Sequence, residues 1–423
     1  MKKLLTTGPV SGTVRAIGSK SAAHRLLICA AVAEKPTWVA CEGTSQDIEA
    51  TIRCLTALGA EIEPWDEGVF QVTPLDRGYL PEHCDLDCGE SGSTLRFLLP
   101  VVAALGANAS FHTAGRLFQR PLGPLVRELE AHGCTVRYGA DQQLIHVSGR
   151  LEAGDYHLPG DVSSQFVSGL LLGLSCLMRE STVTVDGPLA SAGYVDMTVR
   201  ALRAFAAEPH SDGSGRWRLD GLGLLSPGTV SVEGDWSNAA PWLCMGALGG
   251  TGITVTGLDQ ASAQGDRAIV RILSEMGAQV TADGDAVTVR PGELRPIALD
   301  ADQVPDLVPV VAALAACVPG RSVVRNAGRL RLKESDRLAT TAALLRALGA
   351  EAQEEGDTLT IEGRAQLSGG PVPFAGDHRL AMAAAVAARA CAAPVALIDA
   401  EAVEKSYPSF WTVLDGLTGE ASV

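Results

Sequence analysis

Aromatic residues are scarce in this 423-residue chain, 4% against 46% hydrophobic residues overall. The interior must therefore be packed mainly with Ala, Val and Leu, in enough quantity for two cores of ordinary domain size. Basic residues are short as well: 34 Lys and Arg face 49 Asp and Glu, a formal net charge of −15. That balance excludes nucleic acid and anionic membrane as main partners, since both are bound through net basic surfaces. The ten cysteines form no CxxC pair and no dense cluster, the usage of reduced core thiols in a cytoplasmic protein. His83-Cys84 with Cys88 is the nearest approach to a metal pattern, and no second ligand pair follows at finger spacing. Neither GxxxxGK[ST] nor GxGxxG is present, so no nucleotide is implied; no cofactor and no metal are expected. No apolar run reaches membrane-spanning length without a charge or a breaker, and Thr6-Thr-Gly-Pro9 interrupts the signal-like start Met1-Lys-Lys-Leu-Leu5.

What the chain does have is a repeat of about 70 residues, longer than the common solenoid periods. Each copy opens on a helix pattern apolar on nearly every face: Ser21–Ala33, Ser91–Leu105, Ser163–Leu177, Ser237–Leu248, Asp306–Cys317 and Asp377–Ala390. Helices of that kind must be buried all round. A short β-branched run follows, as in Thr37–Ala40 or Ile253–Thr256. Then comes an amphipathic helix, over Asp47–Leu58, Arg120–Glu130, Tyr194–Phe205, Asp266–Met276, Asp336–Leu348 and Pro408–Leu417, and in most copies two closing strands. Gly59, Gly277 and Gly349 suit left-handed helix ends. The sixth copy lacks its closing strands, so the N-terminal strand Val10–Arg15 is expected to complete it. Six copies divide three and three. The expectation is an α/β chain of two lobes, residues 19–231 and residues 1–18 with 232–423, the second discontinuous, with the site in the cleft between them.

The starts of the buried helices are polar, small or charged. They read Gly18-Ser-Lys-Ser-Ala-Ala-His-Arg25, Gly89-Glu-Ser-Gly-Ser-Thr-Leu-Arg96, Gly160-Asp-Val-Ser-Ser-Gln165, Gly234-Asp-Trp-Ser237, Pro305-Asp306 and Gly376-Asp-His-Arg379. Capping accounts for several of them singly, Ser163-Ser-Gln165 and Asp306 among them. Arg25 is different: it would point into an apolar helix unless an anion binds there. The segment Arg331-Leu-Lys-Glu-Ser-Asp-Arg337 has five charged residues in seven directly before a helix, and its Ser335 or Asp336 suits the N-cap. Taken jointly, Lys20, Arg25, Arg120, Lys333, Arg337, Arg379 and Lys405 make a basic site on an acidic protein. Arg forks pair bidentately with phosphate and carboxylate, so the ligands expected are one or two small polyanions.

These stretches resemble the EPSP synthase family of enolpyruvyl transferases. The likeness is carried, in order, by Gly18-Ser-Lys-Ser21 with Arg25, Gln119-Arg-Pro121, Gly160–Gln165, Tyr194-Val-Asp-Met-Thr198, Gly234–Ser237, Gln264-Gly-Asp266, Pro305-Asp306, Leu330–Arg337, Asp377–Met382 and Lys405 before Tyr407-Pro408. The sister family acting on a UDP-sugar usually has Lys-Asn at Lys20-Ser21 and a reactive cysteine loop that this chain lacks. The resemblance implies inward helices with outward sheets, an inside-out α/β barrel in each lobe. It also implies a monomer that closes on shikimate 3-phosphate and phosphoenolpyruvate. By position it puts Lys20, Ser21, Arg25, Ser163, Ser164, Gln165, Ser191, Asp306 and Lys333 on shikimate 3-phosphate. Lys20, Gly92, Arg120, Gln165, Arg337, Arg379 and Lys405 fall on phosphoenolpyruvate. Asp306 is then the expected base for the substrate hydroxyl, and Glu334 with Lys20 the proton-transfer pair, although a carboxylate amid Lys and Arg favours its charged form. Two positions depart from the family pattern: Glu90 and Arg329 stand where members carry Asn, and the two are expected to offset one another.

Overall fold

The computed structural model describes residues 1–141, 143–372 and 376–419. The protein is α/β and divides into two compact units, Gly18–Val232 and Met1–Ile17 with Glu233–Val423. Backbone bonds anchor each side of the two crossings in its own unit. Gly18 donates to Glu42 O (2.7 Å) and Val232 to Ala40 O (2.7 Å), whereas Asp235 donates to Ile17 O (2.9 Å).

The described helices are α1 (Lys20–Val32), α2 (Gln46–Ala57), α3 (Gly92–Leu105), α4 (Gly123–Ala131), α5 (Ser164–Leu174), α6 (Gly193–Ala204), α7 (Trp236–Ala247), α8 (Ile269–Glu275), α9 (Val308–Ala316), α10 (Arg337–Ala347), α11 (His378–Ala388) and α12 (Phe410–Thr418). In the unit Gly18–Val232, helices α1, α3 and α5 contact one another and are buried along most of their length. The closest approach, α3 on α5, is made by two glycines one turn apart. A Cβ on Gly173 would sit 2.7 Å from Pro100 O, and one on Gly169 would overlap the carbonyl of Arg96. Pro100 has no N–H to donate to that carbonyl, so α3 lacks one of its own helix bonds at the point where the glycines of α5 approach. In the other unit α7, α9 and α11 contact one another in the same way, with every residue of α9 and α11 buried.

Among the described residues five of the six sheets have four strands, and the layout repeats. In one, Ala109–His112 is flanked by the parallel strand Cys84–Asp87 and by antiparallel Leu144–Gly149, with Cys134–Tyr138 outside it. The N-terminal segment corrects the expectation for Val10–Arg15. Gly12–Arg15 pairs parallel with Ile253–Thr256 in the fourth repeat, and it is Lys2–Leu5 that pairs antiparallel with Val395–Ile398 in the sixth. The reason lies in which strand each sheet needs. The strand Thr229–Ser231, which precedes the fourth repeat, pairs parallel with Thr37–Ala40 of the first, so the fourth lacks a parallel partner and Gly12–Arg15 supplies it. The sixth already has one in Gly370–Pro371 and takes an antiparallel strand.

Arg120 also differs from expectation. It is extended, φ −74° and ψ 140°, between a 3-10 turn over Leu117–Gln119 and the start of α4 at Gly123. Pro121 disfavours the helical region for the residue before it, so the helix cannot begin at Arg120.

Candidate active site

In the unit Gly18–Val232 the functional candidates gather at the starts of α1, α3 and α5. Ser19 caps α1, accepting from Ala22 N, and leaves Lys20 as the first helical residue. Lys20 Nζ lies 2.7 Å from Asp47 Oδ2 in the first turn of α2, both side chains mostly shielded from solvent. Asp47 has no place among the expected site residues; its one sequence signal is an acid in a capped first turn, which ordinary dipole pairing also explains.

Arg25 is 1% exposed and tied down from within the unit. Its Nε donates to Thr198 Oγ1 (2.7 Å), Nη1 to Ser21 O (2.6 Å) and Nη2 to Tyr194 O (2.8 Å), and the guanidinium sits 4.7 Å from the centre of the Phe97 ring. The expectation that only an anion would compensate an arginine in this helix is thereby corrected. Side-chain hydroxyls and carbonyls of α1 and α6, with an aromatic face, hold the charge. Arg25 thus fixes α1 against α6, whatever else it binds.

Ser163 caps α5, accepting from Gln165 N (3.3 Å), and Ser164 is its first residue. Gln165 is oriented at both ends: Oε1 accepts from Arg96 Nη1 (2.6 Å) and Nε2 donates to Ser93 Oγ (2.9 Å). Arg96 also reaches Pro121 O (3.3 Å), one residue from Arg120. In the sequence Arg96 stands out only as the end of the stretch Gly89–Arg96. It stands four positions after Gly92, a spacing that places the two on one helix face. Ser191 is held in the left-handed region at φ 54° and is 2% exposed, a strained conformation of the kind that concentrates at ligand sites. Gly92 opens α3 directly under Arg120; a Cβ there would lie 2.7 Å from Arg120 Nη1.

The other unit holds a denser cluster, centred on Arg337, the first residue of α10. Its side chain is 1% exposed and meets Asp377 (Nε to Oδ2 2.9 Å), Asp306 (Nη1 to Oδ1 2.8 Å) and Glu334 (Nη2 to Oε2 2.6 Å). Lys333 Nζ reaches the same Asp306 oxygen at 3.2 Å. Asp377 was absent from the expected site. It caps α11, accepting from Arg379 N (3.0 Å), and takes a further bond from Ser335 Oγ (3.0 Å). Ser335 therefore looks towards α11, and Asp336 is the cap of α10. Arg331 is occupied by Asp336 and Glu354, and Arg329 lies against Asp302 of its own unit. Arg379 and Lys405 are each 7% exposed.

Burial by itself would raise the Asp306 carboxyl, but Lys333, Arg379 and Arg337 outweigh it and hold the group well below the ordinary carboxylate range. Asp266 responds in the opposite sense. Burial, then the Asp306 charge, pushes it up to about 7, against one hydrogen bond received from Ser237 Oγ. The folded state therefore keeps a proton on Asp266 that the unfolded chain releases near its ordinary 3.8, so this group's contribution to stability falls as pH rises from about 4 to about 7. Asp266→Asn is accordingly expected to raise the melting temperature more at pH 8 than at pH 5, measured by thermal unfolding at both pH values.

Among the described residues no group of three or more His, Cys, Asp or Glu side chains is placed to hold a metal ion, and no helix is long and apolar enough to cross a membrane. Repeated helix–strand units with half-buried Lys20 and buried Arg337 and Arg379 at their helix starts define an α/β protein whose cationic helix starts suit small polyanions. The model of the EPSP synthase (3-phosphoshikimate 1-carboxyvinyltransferase) family matches residues 5–414. The chain is 39% identical over 411 residues to the 3-phosphoshikimate 1-carboxyvinyltransferase of Clostridium kluyveri, covering 97% of this chain and 96% of that protein. To the enzyme of the same name from Clostridium acetobutylicum it is 37% identical over 414 residues, with the same coverage. The solved EPSP synthase of Acinetobacter baumannii superposes with a TM-score of 0.82 at 25% identity, covering 98% of both chains. The chain belongs to the EPSP synthase family.

Proposed function

We propose that the protein transfers the enolpyruvyl group of phosphoenolpyruvate to the 5-hydroxyl of shikimate 3-phosphate, giving 5-enolpyruvylshikimate 3-phosphate and phosphate. The observation that carries this reading is the family match across nearly the whole chain, with Lys333, Glu334 and Asp306, all half-buried, joined to the buried Arg337 in one ion-pair network. Each unit is a barrel with its helices inside and its sheets outside.

The chemistry is an addition followed by an elimination. The 5-oxygen bonds to C2 of phosphoenolpyruvate as C3 takes a proton; then C3 gives up a proton, the C2–O bond to phosphate breaks, and the double bond returns. Asp306 accepts the hydroxyl proton. In the unliganded protein it is a weak base, because Lys333 and Arg337 stabilise its charge. Substrate phosphate and carboxylate compete for those cations, and as they do so the basicity of Asp306 rises. Glu334 and Lys20 move the proton at C3. Lys20, Ser21, Arg25, Ser163, Ser164, Gln165, Ser191 and Lys333 hold shikimate 3-phosphate, with Gln165 set by Arg96. Arg120, Gly92, Arg337, Arg379 and Lys405 hold phosphoenolpyruvate with Lys20 and Gln165.

Gly92→Ala tests that division. The added methyl group meets the flexible end of Arg120, which must move. Loss of one charge-assisted bond corresponds to a rise of about tenfold or more in KM for phosphoenolpyruvate, with KM for shikimate 3-phosphate unchanged, in steady-state kinetics with each substrate varied. For the function itself, both substrates are mixed with the protein without metal or nucleotide and inorganic phosphate is followed. Release that needs both substrates supports the transferase. Binding without release supports a silent anion-binding protein instead.

A further inference from the structure

The segment that carries Lys405 is held in place by a residue of another helix. Lys405 ends the 3-10 turn Ala400–Lys405 and is 7% exposed. Behind it, Asn238 of α7 is 1% exposed, as is Ser406, and the two make reciprocal bonds: Asn238 Nδ2 donates to Ser406 O (3.2 Å) and Ser406 Oγ donates to Asn238 Oδ1 (3.3 Å). One helical turn further along α7, Trp242 packs against Tyr407 (ring centres 6.1 Å apart) and Phe410 (4.7 Å). Residues four apart share a helix face, so a single face of α7 grips Ser406, Tyr407 and Phe410. The turn's own backbone adds Ser406 N to Val403 O (3.0 Å) and Tyr407 N to Val403 O (2.7 Å). An amide reading both a carbonyl and a hydroxyl of one residue fixes that residue's orientation as well as its distance. Asn238 supplies a polar grip from α7, and it acts on the residue adjoining Lys405.

We infer that Asn238 is a positioning residue for Lys405, setting through Ser406 where the lysine ammonium meets the carboxylate or phosphate of phosphoenolpyruvate. The inference rests on the proposed role of Lys405. Asn238→Ala removes both bonds to Ser406, and the loss of two buried hydrogen bonds predicts a rise of about tenfold in KM for phosphoenolpyruvate. The turnover number is expected to stay within about twofold, and KM for shikimate 3-phosphate unchanged. In a Lys405→Ala background the same substitution is expected to add nothing, because the group it orients is gone.

A second readout does not depend on turnover: the rate at which acetic anhydride acylates Lys405, followed by peptide mass spectrometry. The rate is expected to rise in Asn238→Ala while that of Lys333 does not. Ser406→Ala removes only one of the two bonds and gives a smaller change of the same kind if Asn238→Ala does not fold. An unchanged KM, a full additional effect without Lys405, or unchanged acylation of Lys405 would overturn the inference. Absence of phosphate release by the wild-type protein would instead sink the transferase reading, and the acylation rates would still decide the role of Asn238.

Discussion

Arg337→Met is expected to destabilise the protein by about 3–5 kcal/mol, because it leaves three carboxylates without their common cation. Asp377 is the critical one, since its side chain has no exposed surface and its remaining bonds come from Ser335 and the Arg379 amide. Turnover should fall further than stability. On the proposed role of Arg337 in holding phosphoenolpyruvate, the loss of two charge-assisted bonds lowers kcat/KM by about 10²–10⁴-fold. Combining Arg337→Met with Asp377→Asn separates the two effects. Removing both buried charges recovers much of the stability, measured by urea unfolding, and none of the activity. If the double variant regained activity, Arg337 would be a structural ion pair and nothing more.

Asp306→Asn is expected to keep the fold and lose the reaction. Arg337 retains Asp377 and Glu334, so no buried charge is stranded. A missing general base lowers kcat by about 10²–10⁴-fold. The pH profile identifies the cause. Asp306 is held well below the ordinary carboxylate range in the free protein, so protonating it should not limit kcat/KM until strongly acid pH. On the proposed assignment Lys333 and Arg337 turn to the ligand's anions in the substrate complex, and the acid limb of kcat should move up. Asp306→Asn removes that limb. A kcat profile that kept its acid limb in the variant would transfer the role of base to another group.

The repeat and its buried helices were legible in the sequence because an all-apolar helix has one physical solution, burial on every side. α9, with every residue buried, is the plainest instance. The charged starts were legible for a related reason: Lys20, Arg25 and Arg337 adjoin apolar runs that give them no company. What the sequence did not convey is which groups answer them. Asp377 lies forty residues from Arg337 in the chain and 2.9 Å from it in space, and Asp47, Arg96 and Thr198 became visible as partners only through packing between helices. Strand exchange was hidden for the same reason. Gly12–Arg15 and Lys2–Leu5 are both strands of four residues, and the vacancies they fill are set by other repeats. Arg120 is a different sort of miss, since Pro121 beside it already argued against a helix starting there.

Transfer of an enolpyruvyl group, as opposed to hydrolysis of its phosphate, is tested most directly by phosphoenolpyruvate carrying heavy oxygen in the bridge between C2 and phosphorus. Addition and elimination break the carbon–oxygen bond, so with shikimate 3-phosphate present the label should leave wholly in inorganic phosphate. Label retained in a carbon product, or phosphate released without shikimate 3-phosphate, would contradict the account.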